Sequence, residues 1–422
     1  MLSALFRLSL SLAATRLVAI TMPIADFVVL AHAAPGGLPS YALGAQWAQV
    51  GVVACGALGT GITIALPRCT SSRRSAWLPA VLSTSVTWGV ATALLTFSLA
   101  LIPTSQGTSG QVTAILAAGM VPLSIYASLA AYSQSVGRSR LVLVLTVLAG
   151  GLNVGLDAVL INVLDPALGV AYATALCWSF VAILIACKTR WRGRGLVTAS
   201  GRCASRPPRA PWKAIRHIKH KALYRIALPD FLSKIVFVGA VALAFWWLST
   251  AIDNADFTNL AITLNYMNVV FVAVMAVTTA FSITFLNMGA SFESRRFALA
   301  SGASLLLLLA TFIIASPALS YIYFADISAF HVWAITLGTV IVLFDGAALF
   351  AITLFRMRGA VSLPPYVRLL MFPIAVVYVA LSEGPSFHVT LKAMLIGNIA
   401  VALCACVSYG WYMSSNRRLP RP

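Results

Sequence analysis

From Gly137 to Arg192 the chain reads GRSR, LVLVLTVLAGGLNVGLDAVLINVL, DP, ALGVAYATALCWSFVAILIAC, KTRWR. Each apolar run is long enough to cross a bilayer as a helix, which takes roughly 20 residues at about 1.5 Å each. The two runs meet at Asp165-Pro166, and both outer ends carry Arg or Lys. Such a unit is a helical hairpin dipped through a membrane with its basic ends on one side.

The same pattern extends along the whole chain. Apolar stretches occupy 8–33, 41–67, 76–102, 111–133, 141–163, 166–187, 226–250, 258–286, 297–319, 331–355, 364–382 and 388–413, an all-α polytopic protein of twelve transmembrane helices. Composition agrees, with 60% hydrophobic and 9% charged residues and a mean hydropathy of +0.93. A soluble globule of this size has no means of hiding so much apolar surface.

Basic residues collect in alternate loops: Arg7; Arg68, Arg73 and Arg74; Arg138 and Arg140; a dense run from Lys188 to Arg225; Arg295 and Arg296; Arg356 and Arg358; Arg417, Arg418 and Arg421. The intervening loops hold Asp165, Asp253, Asp256, Asp326 and Glu383 and no Arg or Lys. The positive-inside rule places the basic loops and both termini in the cytoplasm. The net charge of +19 is therefore an orientation signal, and no nucleic-acid partner is implied. The preference for Arg over Lys points to a GC-rich bacterial genome and hence to an inner membrane. Ala31-His32-Ala33 resembles a signal-peptide cleavage site, but the apolar stretch is too long for one and contains Arg16 and Asp26. Cys55, Cys69, Cys177, Cys187, Cys203, Cys404 and Cys406 lie in spans or cytoplasmic loops, with no disulfide or zinc spacing among them.

The basic connection at 188–225 divides the chain into an N-lobe (1–187, spans 1 to 6) and a C-lobe (226–413, spans 7 to 12), with a basic tail at 414–422. Six spans per half make both halves enter from the same side, the parallel type of transporter repeat. The linker is expected to rest on anionic lipid headgroups, with docking of a partner as the alternative.

Ionisable residues in hydrocarbon need a partner, a wet cavity or a route to the interface. Arg368 and Lys392 lie near span ends and snorkel. Asp230 follows Pro229 in a first helical turn, where a carboxylate suits the dipole. Arg16, Lys234, Asp26, Asp157 and Asp345 lie deeper. Asp26 and Asp157 share a depth in the outer half of the N-lobe, where burial and mutual repulsion raise carboxyl pKa values toward working pH. Pro23 supplies a hinge three residues before Asp26. Simple interhelical hydrogen bonding is the competing explanation for these acids.

Asn153-Val154-Gly155-Leu156-Asp157, followed by Gly169-Val170-Ala171 and Ala173-Thr174, resembles the Asn-x-x-x-Asp and Ala-Thr segments of multidrug and toxin extrusion (MATE) transporters. So do Ala25-Asp26-Phe27-Val28-Val29 in the first span, Ile226-Ala227-Leu228-Pro229 at the start of the seventh, and Phe344-Asp345-Gly346 with Arg356-Met357-Arg358-Gly359 in the tenth. The resemblance covers nearly the whole chain in order. It implies two six-helix lobes in a V around a cleft, related by pseudo-two-fold symmetry. Asp26, Asn153, Asp157 and Thr174 would form a cation or proton network, with Asp345 as the C-lobe counterpart. It also implies an antiporter of protons or sodium exporting an amphiphilic drug or metabolite, with no cofactor and no metal, as a monomer.

Two departures bear on cargo and ion. The stretch Phe231-Leu232-Ser233-Lys234-Ile235-Val236-Phe237 lacks a glutamate that some members carry, which disfavours a C-lobe sodium site. Arg16 and Lys234 stand where uncharged polar residues are commoner. They give the cleft a positive character suited to an anionic or zwitterionic natural product, or to a flippase for lipid-linked saccharides. Tyr126 and Tyr266 are further candidates for the cleft wall. An intramembrane enzyme is not indicated, because His32, His331 and His388 are scattered in external loops and no nucleophile stands beside a base.

Overall fold

A chain in hydrocarbon must satisfy its backbone internally, which leaves helices or closed barrels. The computed structural model describes residues 25–66, 77–101, 107–199, 212–288, 302–303, 306–307, 309–324, 328–357, 371–382 and 384–415, and among them every regular element is a helix. In order these are 25–33, Leu38–Ala65, Leu78–Ala100, Gly107–Ala118 with Met120–Ser135, Ser139–Leu160, Pro166–Ala199, Trp212–Ala251, Asn254–Met288, the short pieces before Ser316–Phe324, Ala329–Met357, Met371–Ala380 and Phe387–Ser415. Each expected span coincides with a described helix or part of one. Seven helices are individually long and apolar enough to cross a membrane among the described residues, eight if the bent fourth span counts as one.

The helix starts explain the hairpins. Pro166 opens the sixth span, where its missing N–H costs nothing, and Asp165 Oδ1 accepts from the N–H groups of Ala167 and Leu168 at 3.1 and 3.4 Å. Asp253 does the same for Asp256 N–H at 2.7 Å, Ser328 for His331 N–H at 3.2 Å and Ser386 for Val389 N–H at 3.3 Å. Spans 6, 8, 10 and 12 thus all begin with a side-chain cap at the end away from the basic loops. At the other end, Gly137 closes the fourth span with φ +81°, and Arg138 N–H reaches back to the Ser133 carbonyl at 2.8 Å.

Two features depart from the sequence expectation. The fourth span is not straight, since it bends by 45° at Gly119. Trp178 explains why glycine stands there, because a Cβ on Gly119 would lie 2.7 Å from the indole Cε3. The linker expected at 188–225 is largely helix, as the sixth span runs on to Ala199 and the seventh begins at Trp212. From Trp212 the Lys-, Ala- and Leu-bearing sequence gives no signal to stop, whereas the sixth span continues through Gly193 and Gly195 against their low propensity. Residues 200–211 and the tail from 416 lie outside the described residues.

Two compact units emerge, Ser40–Gly239 and the described parts of Met1–Pro39 with Ala240–Pro422. The expected lobe limits were 187 and 226. The seventh span accounts for part of the difference: Leu223 and Ala227 are fully buried, and a Cβ on Gly61 of the second span would lie 3.2 Å from the Ala227 Cβ. Tyr224 also shares a 3.1 Å hydrogen bond with Thr87, and its ring lies 5.9 Å from that of Trp88, tilted by 33°.

Within Ser40–Gly239 the helices close on small residues and spare hydroxyls. Trp88 Nε1 donates to the Ala54 carbonyl at 2.9 Å, and Ser124 donates to the Ser85 carbonyl at 2.9 Å. Thr92 and Thr96 turn their hydroxyls back on their own helix. Gly169 brings the sixth span against the end of the fifth, where an added Cβ would lie 2.7 Å from the Leu160 carbonyl oxygen. Because that neighbour is backbone, Gly169→Ala should destabilise the protein by ~1–3 kcal/mol in thermal unfolding. Gly155→Ala, in open space on an exposed helix face, should leave stability unchanged or slightly raised.

Candidate functional site

The fifth span, Ser139–Leu160, buries one stripe: Val142, Leu145, Thr146, Ala149, Gly150, Asn153 and Asp157. Steps of three and four keep these residues on one face. The apolar members of the stripe end where Asn153 and Asp157 begin, one turn apart and both fully buried. Asn153 Nδ2 donates to Asp157 Oδ2 at 2.9 Å, and Thr174 Oγ1, on the sixth span, donates to Asn153 Oδ1 at 3.4 Å. The Asp165 cap and the Gly169 contact fix where Thr174 meets the fifth span. The sequence-predicted trio Asn153, Asp157 and Thr174 is therefore assembled in one buried network.

Chemically, this network takes two forms. With Asp157 ionised, the Asn153 amide supplies a donor to the carboxylate, which a buried charge requires. With Asp157 protonated, the carboxyl becomes a donor, and the Asn153 side-chain carbonyl one turn away is an acceptor it can use. A proton gained at Asp157 would therefore alter the hydrogen bonding that Asn153 and Thr174 share between the fifth and sixth spans.

The other predicted residues are placed as follows. Asp26 is buried, 1% exposed, in the unit formed with Ala240–Pro422. Asp345 is half-buried midway along Ala329–Met357 in that same unit. Pro23 and Arg16 lie outside the described residues. Lys234 lies in the helix Trp212–Ala251, but its side chain is outside the described part. Tyr126 shares a 2.6 Å hydrogen bond with Thr146. Since Thr146 already donates to the Val142 carbonyl at 2.7 Å, the phenol is the donor. Tyr266 is wholly buried and likewise donates to Thr339 at 2.6 Å, whose own proton goes to the Ile335 carbonyl at 3.0 Å.

Thr146 was missed by the sequence reading. It lies two turns before Asn153 on the same face, and that spacing of seven was the available signal. A groove of about 390 Å³ lined by Ala114, Ile115, Ala118, Gly119, Tyr172 and Leu176 sits beside the bend in the fourth span. It uses a different face of the sixth span from Thr174, and its apolar walls suit no coupling chemistry. No cluster of three His, Cys, Asp or Glu able to hold a metal occurs among the described residues.

Neither a family model nor a curated protein matches the sequence. Solved structures do match in fold. A multidrug resistance MATE family transporter of the MOP superfamily, in an outward-facing conformation, aligns at TM-score 0.73 with 18% identity over 99% of this chain and 97% of that one. A MATE in the straight conformation aligns at TM-score 0.72 with 17% identity over 99% and 97%. A MOP superfamily transporter from Pyrococcus furiosus, described by the reverse polarity of its binding pocket, aligns at TM-score 0.72 with 18% identity over 99% and 96%. The chain has the fold of these transporters.

If the trio is one network, its members couple. Asn153→Ala removes the donor to a buried carboxylate and should cost ~1–3 kcal/mol in thermal unfolding, and Thr174→Val about 1 kcal/mol. The double variant should cost less than the sum of the two, which a double-mutant cycle measures.

Proposed function

We propose that this protein is a secondary active exporter that exchanges protons, or alternatively sodium, for an amphiphilic drug or metabolite leaving the cytoplasm by alternating access. The observation that carries the reading is the fully buried Asn153–Asp157–Thr174 network in a chain with a transporter fold. An ionisable group at membrane depth is retained at a cost of several kcal/mol on most scales, and ion coupling is a use that repays it.

In this mechanism Asp26 and Asp157 are the coupling acids, with Asn153 bonded to Asp157 and Thr174 to Asn153. Asp345 is the acid of the C-lobe. Protonation from outside neutralises the carboxylates, rearranges the bond between spans 5 and 6, and bends the first span at Pro23. Tyr126 and Tyr266 would contribute to the cleft wall, their phenols held by Thr146 and Thr339. The basic residues nearest the membrane at the two ends of 188–225 would hold anionic headgroups, with both termini cytoplasmic.

A second reading concerns the cargo. Arg16 and Lys234 add cations to spans 1 and 7, and a transporter of the same fold carries a binding pocket of reverse polarity. An anionic or zwitterionic product, or a lipid-linked saccharide, suits such a cleft.

Inside-out vesicles loaded with the protein separate these readings. Under an imposed proton gradient the wild type should accumulate a test amphiphile, and Asp157→Asn or Asp26→Asn should abolish that accumulation while the protein remains folded. Accumulation of anionic rather than cationic compounds would select the second cargo. Movement that ignores both proton and sodium gradients would overturn the antiporter.

A further inference from the structure

Buried hydroxyls in the unit containing Ala240–Pro422 do not balance. Tyr323, near the end of the ninth span, is 3% exposed, and its hydroxyl has no hydrogen-bond partner among the described residues. Its ring stands edge-on to Tyr266 of the eighth span, with centroids 5.7 Å apart at 81°. The Tyr266 hydroxyl spends its proton on Thr339 of the tenth span, so its oxygen retains an unused acceptor site. One buried donor is thus left over on Tyr323 and one buried acceptor on the neighbouring Tyr266.

Leaving a buried hydroxyl unpaired costs about as much as a hydrogen bond is worth or more, and native proteins rarely tolerate it. Phenylalanine would fill the same space at Tyr323 without that cost. A small hydrogen-bonding molecule between the two phenols removes the imbalance, and two polar partners already meet the minimum for a buried water. We propose that Tyr323 and Tyr266 form a binding site for one buried water, which accepts from the Tyr323 hydroxyl, donates to the Tyr266 oxygen, and so joins the ninth span to the eighth and tenth. The site uses no coupling acid, and it shares with the transport reading only Tyr266, there assigned to the cleft wall.

The sign of one substitution tests it. Relief of an orphaned hydroxyl makes Tyr323→Phe neutral or stabilising, whereas loss of a water ligand makes it destabilising. In detergent-solubilised full-length protein, Tyr323→Phe should lower the melting temperature by roughly 2–4 °C, and an unchanged or raised value would overturn the proposal. A density map fine enough to show ordered water should contain an isolated peak within bonding distance of both phenol oxygens. A protein side chain bonded to the Tyr323 oxygen, or no peak, contradicts the proposal. Stabilisation of wild type, but not of Tyr323→Phe, on replacing choline with sodium would mean that the site holds a cation instead.

Discussion

The bilayer interior offers no water, so every polar atom carried into it must find its partner within the protein. That constraint organises the fold from the outset. Backbones become helices, hydroxyls such as Thr92 and Thr96 turn back on their own carbonyls, and exposed helix starts acquire Asp or Ser caps. Groups that these devices do not satisfy stand out, and Asp157 with Asn153 is the clearest case. No apolar packing purpose is served by an amide and a carboxylate on a stripe that is otherwise Val, Leu, Thr, Ala and Gly.

Packing then determines what that pair can do. Glycine at 169 lets the sixth span approach the end of the fifth closely enough for Thr174 to reach Asn153. The resulting chain of hydroxyl, amide and carboxylate spans two helices, so protonation of the carboxylate would alter bonds that meet at a helix contact. A binding event must favour one of two arrangements to do work, and a network whose donors and acceptors exchange roles on protonation has this property. The Tyr266 and Thr339 bond in the other unit is a contrast: both protons are committed, and no carboxylate takes part.

Most of the fold was legible in the sequence because span length and loop charge are enforced by the membrane, residue by residue. Asp157 stood out as an acid in an apolar run, whereas Asn153 and Thr174 were named only through the resemblance; the structure brings the three together. Three features were not legible. The bend in the fourth span was not read, although Gly119 and Pro122 stand together there, and the Trp178 that fills the space beside Gly119 is some sixty residues away. The helical continuation to Ala199 and from Trp212 was hidden by charge, which marks the membrane boundary but does not end a helix. The burial of Leu223 and Ala227 against the second span is a tertiary contact of a segment that reads, in sequence, as the entrance to the seventh span.

Proton exchange at Asp157 is the central claim, and infrared difference spectroscopy of the purified protein in lipid observes it directly. Acidification should produce a protonated-carboxyl stretching band that is missing in Asp157→Asn. A spectrum without such a band, or one whose band survives the substitution, would mean that Asp157 keeps one protonation state throughout and serves the fold alone.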